Sequence, residues 1–167
     1  QKNLKIKYIE GNKENLKITK PDDLIVFKKL ITKKILIGNG FDIHKLSKGN
    51  FLALAGLKIK SELKSVGHSD GDVVLHSIID ALLGATSKGD IGKYFPSSKQ
   101  YKNADSKLLL EEIKKRIKFH RYIIENIDCT VICQRIRLEN YKDKIGKNIA
   151  KILNCKNSSV NIKAKTR

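Results

Sequence analysis

Apolar positions along this chain fall into runs of two different periods, and those runs outline its elements. Ile35 to His44 predicts a strand with Gly38 and Gly40 inside it, where another backbone or a ligand can come close. Phe51 to Ile59 predicts a further strand or a hairpin with its turn near Gly56. Asp72 to Ala85 predicts a helix, because Val73, Val74, Leu75, Ile78, Ile79, Leu82 and Leu83 form a broad apolar face suited to deep burial. Ser69 or Asp70 is the expected cap, and Gly84 the expected end. Asp105 is placed to cap a second helix, with Leu108, Leu109, Ile113 and Ile117 on one face. Ile123 to Cys133 predicts a strand. Tyr141, Ile145, Ile149, Ile152 and Leu153 recur at helical spacing, and Val160 to Lys165 begins a last strand. Strands alternating with helices predict an α+β fold (α/β layers): a mixed β-sheet with helices on one face.

Residues 1–33 separate from residues 34–167 as a smaller piece. Leu4, Ile6 and Tyr8 alternate, Gly11-Asn12 marks a turn, and Leu16 and Ile18 alternate again. Thr19 is the expected N-cap of a short helix running to about Ile31. Pro21 sits in its first turn, and Asp22 and Asp23 favour its positive end. This hairpin-plus-helix piece is too small for a core of its own.

At 167 residues the chain is long enough to bury a core without disulfide staples. No apolar run approaches the roughly 20 residues of a membrane span, and residues 1–8 alternate like a strand, unlike a signal peptide. The formal charge of +18 admits a polyanionic ligand. Its lysines are spread over the whole chain, however, without the aromatic-interleaved stripe that single-stranded nucleic acid needs, so neither nucleic acid nor membrane is the expected partner. Cys129, Cys133 and Cys155 form no C-x-x-C pair, which suits core thiols in a reducing compartment.

Chemistry concentrates in two stretches. Asp42 and His44 are two apart, so on a strand they project to one face. A third ligand from the helix bearing His76 would close one side of a metal ion, leaving a position open as catalytic zinc sites do. Each histidine taken alone is a satisfied structural one more often than a ligand. His68 is a weaker ligand candidate, or a contact for an anion near a helix N-terminus. Asp72 and Asp80 lie four residues either side of His76; either could accept its second ring N–H, or they serve as a dipole partner and a satisfied buried carboxylate. Ser69 and Asp90 are loop-like polar positions, Asp90 readable as a polyol contact or a turn-former. Arg137 follows the Ile123–Cys133 strand and is readable as a phosphate contact or a solvated side chain.

A longer pattern joins these residues: Ile37-Gly38-Asn39-Gly40-Phe41-Asp42-Ile43-His44, His68-Ser69-Asp70-Gly71-Asp72 through His76, Asp80-Ala81-Leu82-Leu83-Gly84-Ala85, Gly89-Asp90-Ile91-Gly92-Lys93-Tyr94-Phe95-Pro96 and Ala104-Asp105-Ser106. In order and spacing it resembles the 2-C-methyl-D-erythritol 2,4-cyclodiphosphate synthases, from about Leu36 to the C-terminus. The resemblance implies a homotrimer with active sites between subunits, in the non-mevalonate route to isoprenoids. It implies that 4-diphosphocytidyl-2-C-methyl-D-erythritol 2-phosphate closes to the cyclic diphosphate and expels CMP. Asp42, His44 and His76 then match ligands of Zn2+ or another divalent transition metal, and Mg2+ or Mn2+ accompanies the diphosphate. His68, Ser69 and Asp90 are carried as catalytic positions; Ser69 and His68 match substrate-phosphate neighbours, and Asp90 and Gly92 positions around the methylerythritol. Phe95, Arg137 and Thr166 are carried as further substrate-binding positions, Thr166 matching a CMP contact. A bacterial cytoplasm, or a plastid-type organelle in a eukaryote, is the location implied.

Residues 11–24 resemble the C-terminal tail of the cytidylyltransferase that acts earlier in that route, so the chain reads as the downstream part of a bifunctional protein. Three features depart from the pattern. Ser97-Ser98-Lys99 replaces a loop that is acidic in many relatives. Arg135-Ile136-Arg137 stands where a proline usually precedes a basic residue. After Ala164-Lys165-Thr166-Arg167 the family continues with a magnesium-serving glutamate and a final strand, so the 34–167 domain reads as C-terminally incomplete. Two other readings compete: a zinc-dependent phosphohydrolase using metal-bound water, and a basic binding module without catalysis.

Overall fold

The computed structural model describes residues 17–31 and 35–166, and the chain divides into two compact units, Gln1–Ile35 and Leu36–Arg167. The hairpin predicted for residues 4–18 lies almost wholly outside the described residues. In the first unit, α1 spans Pro21–Ile31 as the sequence predicts. Its capping runs the opposite way from expectation. Among the described residues Thr19 accepts no bond at the helix end; the Asp23 carboxylate reaches back to accept the Thr19 and Lys20 N–H groups at 2.9 and 2.8 Å, and the Thr19 hydroxyl at 3.0 Å. Those bonds, the Thr19 N–H foremost, hold the Asp23 carboxyl below its ordinary range.

The second unit runs β1 (Lys45–Lys48), β2 (Phe51–Leu54), β3 (Leu57–Lys60), β4 (Leu63–Val66), α2 (Val73–Ala85), α3 (Ile91–Tyr94), α4 (Ser106–Arg116), β5 (Ile127–Ile132), α5 (Lys142–Leu153) and β6 (Val160–Lys165). Strand pairing is both antiparallel and parallel, as a mixed α/β fold requires. Among the described residues, though, the predicted mixed sheet is three two-stranded ladders. β1 pairs antiparallel with β4, β2 antiparallel with β3, and β5 parallel with β6. The run from Ile35 to His44, predicted as a strand, has no ladder partner among the described residues.

The hairpin predicted around Gly56 is present, and its two-residue turn has both φ angles positive, 53° at Ala55 and 74° at Gly56. That is the turn whose twist suits adjoining antiparallel strands. Ala55 tolerates it because its N–H and that of Gly56 both donate to the buried Asp72 carboxylate. Asp72 also accepts the Leu75 N–H at 3.0 Å, so Asp72 caps α2, not Ser69 or Asp70. Gly84 lies inside α2, which continues to Ala85 and closes on Thr86.

Leu54 and Ile59 of the hairpin, Leu75, Ile79 and Leu83 of α2, Leu110 and Ile113 of α4, and Ile145, Ile149 and Leu153 of α5 make one core. The predicted face of α4 is shifted. Leu108 is exposed and Leu110 buried, because Leu110, not Leu108, shares helical phase with Ile113 and Ile117. Asp105 caps this helix as expected, accepting the Lys107 N–H at 2.8 Å. β5 is shorter than predicted and leaves Ile123 exposed ahead of it. No helix among the described residues is long and apolar enough to cross a membrane.

Candidate metal centre

Two glycines bring the first half of the site to the second. A Cβ on Gly38 would stand 1.8 Å from the Ala81 carbonyl oxygen, and one on Gly40 1.8 Å from that of Ser77. Only glycine lets residues 38–40 lie directly on the backbone of α2. From there exposure alternates. Phe41 and Ile43 face outward, while Asp42 and His44 turn back toward the helix. The period of two survives without a ladder, and it delivers both side chains beside His76, the residue before Ser77.

The three side chains converge on one point. Asp42 Oδ2 lies 2.7 Å from His44 Nε2 and 3.0 Å from His76 Nδ1, and the two ring nitrogens are 3.2 Å apart. Each side chain keeps a small exposed fraction, 25% for Asp42, 15% for His44 and 10% for His76, so one side of the cluster opens to solvent. Asp42 Oδ1 is occupied by the Ile43 N–H at 2.8 Å, which leaves Oδ2 for the rings. Burial is the largest single influence on the Asp42 carboxyl and opposes its ionisation. The His76 hydrogen bond and the neighbouring imidazoles outweigh it together, and the carboxyl is held below its ordinary range.

The donor set fits a divalent cation. His44 Nδ1 faces the Val66 carbonyl oxygen at 3.2 Å. A carbonyl only accepts, so Nδ1 carries the ring proton and Nε2 presents a lone pair to the cluster. A lone pair, a carboxylate oxygen and a second imidazole nitrogen this close repel one another unless a positive centre lies between them. Tetrahedral zinc with bonds of about 2.0 Å sets its ligand atoms about 3.3 Å apart, and the observed 2.7–3.2 Å triangle needs only slight opening to reach that.

His76 Nε2, on the far side of the ring, is flanked by two hydroxyls, Ser69 Oγ at 3.0 Å and Ser106 Oγ at 2.9 Å. Neither carboxylate considered from sequence spacing serves as its outer partner. Asp72 is committed to the three N–H groups above. Asp80 accepts the Ile91 N–H at 2.7 Å and so ties α2 to α3. Burial raises the Asp80 carboxyl; the Ile91 N–H opposes this, while Asp90 and Asp42 add to it. The residue the sequence reading missed is Ser106. It is fully buried at the first position of α4, and no spacing rule ties that position to a histidine 30 residues earlier.

The remaining candidates differ in what they touch. Ser69 touches it directly. His68 is exposed, and its carbonyl accepts the Asn103 N–H at 2.6 Å. Asp90 caps α3 through the Lys93 N–H at 3.0 Å, with Gly92 exposed beside it. Phe95 packs edge-on to Tyr101, ring centroids 5.3 Å apart. Arg137 and Thr166 are exposed, and no hydrogen bond among the described residues joins their side chains to the metal cluster. Burial raises the thiols of Cys129 and Cys155, consistent with packing roles.

Known proteins resemble this chain in sequence and in fold. The chain is 43% identical over 165 residues to the bifunctional enzyme IspD/IspF of Aliarcobacter butzleri, covering 97% of this chain and 44% of that protein. It is 50% identical over 131 residues to the 2-C-methyl-D-erythritol 2,4-cyclodiphosphate synthase of Lachnospira eligens, covering 78% of this chain and 72% of that one. The CDP complex of IspF from Plasmodium falciparum superposes with a TM-score of 0.67 at 37% identity, over 79% of this chain and 81% of that chain. The chain thus spans less than half the length of the bifunctional relative and most of the single-function one. Residues 35–167 match the YgbB family profile, and with the relatives above this establishes that the chain belongs to the YgbB family.

Proposed function

We propose that the chain converts 4-diphosphocytidyl-2-C-methyl-D-erythritol 2-phosphate to 2-C-methyl-D-erythritol 2,4-cyclodiphosphate and CMP, a step of non-mevalonate isoprenoid precursor synthesis. The observation that carries this reading is the convergence of Asp42 Oδ2, His44 Nε2 and His76 Nδ1 on one partly open point. In the reaction an oxygen of the 2-phosphate forms a bond to the β-phosphorus. The bond from that phosphorus to the oxygen of the CMP phosphate breaks, and its electron pair leaves with CMP. Nucleophile and electrophile belong to one molecule, so the protein's task is to fold the substrate and to quiet its charges. No protein nucleophile is required, in keeping with thiols that burial keeps protonated.

Asp42, His44 and His76 would hold Zn2+ or another divalent transition metal, which when bound supplies positive charge to a phosphate oxygen. Mg2+ or Mn2+ would travel with the diphosphate. Ser69, whose hydroxyl meets His76 at Nε2, is proposed to donate its proton to a phosphate oxygen. His68, Asp90, Gly92, Phe95, Arg137 and Thr166 are proposed to surround the rest of the substrate, from the exposed positions that His68, Gly92, Arg137 and Thr166 occupy.

Arg137 and Thr166 make no hydrogen bond to the metal cluster among the described residues, and Ile37, Phe41 and Ile43 are each about four-fifths exposed. Both features support a homotrimer in which a neighbouring copy covers that face and completes the site. Residues 1–33 are proposed as the end of a cytidylyltransferase domain, residues 34–167 as the synthase domain, and the bacterial cytoplasm as their location. The test is incubation of the purified chain with the diphosphocytidyl substrate, zinc and magnesium. CMP and cyclic diphosphate released in equal amounts, abolished by His76→Ala, is the expected result. Linear phosphate or inorganic phosphate as product would place the chain among zinc-dependent phosphohydrolases and overturn the reading.

A further inference from the structure

His76 can act as a ligand through Nδ1 only if its proton sits on Nε2, and the structure contains a device that puts it there. Ser106 Oγ is 2.5 Å from Asp70 Oδ1, and the Ser106 N–H reaches Asp70 Oδ2 at 3.1 Å. A carboxylate only accepts, and a hydroxyl has a single proton, so Ser106 donates that proton to Asp70. What Ser106 turns toward His76 Nε2, at 2.9 Å, is a lone pair. A bare Nε2 would meet it lone pair to lone pair inside a fully buried contact. Nε2 must therefore carry the hydrogen and donate it.

Ser69 does not reverse this. Its Oγ, 3.0 Å from Nε2, already accepts the Gly71 N–H at 3.2 Å and can accept from Nε2–H as a second acceptor. Its own proton stays free for another partner. The carboxylate that orients Ser106 is itself fixed: Asp70 Oδ1 accepts the Asp72 N–H at 3.2 Å, and the Asp70 N–H donates to the Ala104 carbonyl at 3.0 Å. The relay thus spans the loop before α2, the first residue of α4, and the His76 ring on α2.

We propose that Asp70 and Ser106 are a positioning pair that fixes the His76 tautomer and thereby selects Nδ1 as its metal-binding atom. This inference rests on the metal-centre reading above, and it concerns two residues that do not touch the metal position. Outer partners of ligating histidines carry about 10- to 100-fold in metal affinity.

The experiment uses the purified chain stripped of metal by a chelator. Cobalt(II) is titrated in and followed by its visible absorption, and the His76 ring nitrogens are read by 15N NMR in the chain reloaded with zinc. Wild type is expected to show a protonated Nε2 and a metal-bound Nδ1. Ser106→Ala is expected to weaken cobalt binding by about 10- to 100-fold, with mixed tautomers and little change in metal-free unfolding temperature. Ser106→Thr, which keeps the hydroxyl, is expected to restore both, and Asp70→Ala to resemble Ser106→Ala. Cobalt affinity unchanged in Ser106→Ala, or a wild-type ring protonated on Nδ1, overturns the pair while leaving the metal centre standing. A wild-type chain that takes up no cobalt overturns the metal centre itself, and the pair's function with it. If Ser106→Ala fails to fold, the wild-type ring spectrum still decides the tautomer.

Discussion

Gly40 lies so close to Ser77 that a Cβ on the glycine would stand 1.8 Å from the serine's carbonyl oxygen and 2.8 Å from the Ala81 nitrogen. The contact is backbone to backbone, so neither partner can swing away. Gly40→Ala should therefore lift residues 40–44 off α2 and carry Asp42 and His44 from His76. A displacement of about 1 Å at a reacting centre costs on the order of 100-fold in turnover. We expect that loss together with reduced zinc content, measured by elemental analysis and product release. Full zinc content and full turnover would refute the role assigned to this contact.

Asp72 predicts a different kind of failure. Its carboxylate, 0% exposed, satisfies the Ala55, Gly56 and Leu75 N–H groups. Asp72→Ala leaves those donors without their acceptor and should cost about 2–4 kcal/mol in a urea titration. Asp105→Ala, which removes a half-exposed cap from α4, should cost about 1 kcal/mol. An equal effect of the two would deny Asp72 its place as the joint between hairpin and helix.

Lys118 follows the end of α4 with φ 56° and ψ 50°, a left-handed conformation that β-carbons disfavour. Lys118→Gly should raise stability by about 0.5–1 kcal/mol, net of the greater freedom glycine gains in the unfolded chain. Thermal unfolding measures it, and a lower midpoint would contradict the strain.

Asp128 on β5 is held by Lys163 Nζ at 2.6 Å and Asn161 Nδ2 at 2.8 Å from β6. Those partners, Lys163 first, hold its carboxyl below the ordinary 3.8. A carboxyl lowered in the native state stabilises above its unfolded pKa, and the benefit is lost as pH falls through the native value. Wild type should therefore unfold at a higher temperature than Asp128→Asn at pH 6. The gap should narrow below about pH 4 and close at the acid end. A gap that widened on acidification would reverse the sign argued here.

Much of this was legible before folding. The helix bearing His76 declares itself through seven apolar residues on one broad face, and Asp-x-His needs only a period of two to aim both side chains together. The Gly56 turn is equally local. What escaped depends on contacts between distant segments. Ser106 looks like an ordinary residue after a cap until α4 packs on α2, whereas the Leu110 face of that helix was already legible in its phase with Ile113 and Ile117. Gly38 and Gly40 announced a close approach, yet not that the partner was a helix backbone. Asp72 and Asp80 have the spacing of outer ligand partners, but the nearest backbone N–H groups claimed both.

The run from Phe41 to His44 has two sides with unlike fates. One holds the carboxylate and imidazole of the cluster; the other leaves Phe41 and Ile43 bare. A partner shielding the bare side would also stiffen the side proposed to grip the ion, and the ion would in turn steady the surface offered to the shield. By thermodynamic reciprocity each event must strengthen the other by the same factor. If a second copy of the chain is the shield, as proposed above, cation retention is expected to depend on how concentrated the protein is, with dilution alone releasing metal.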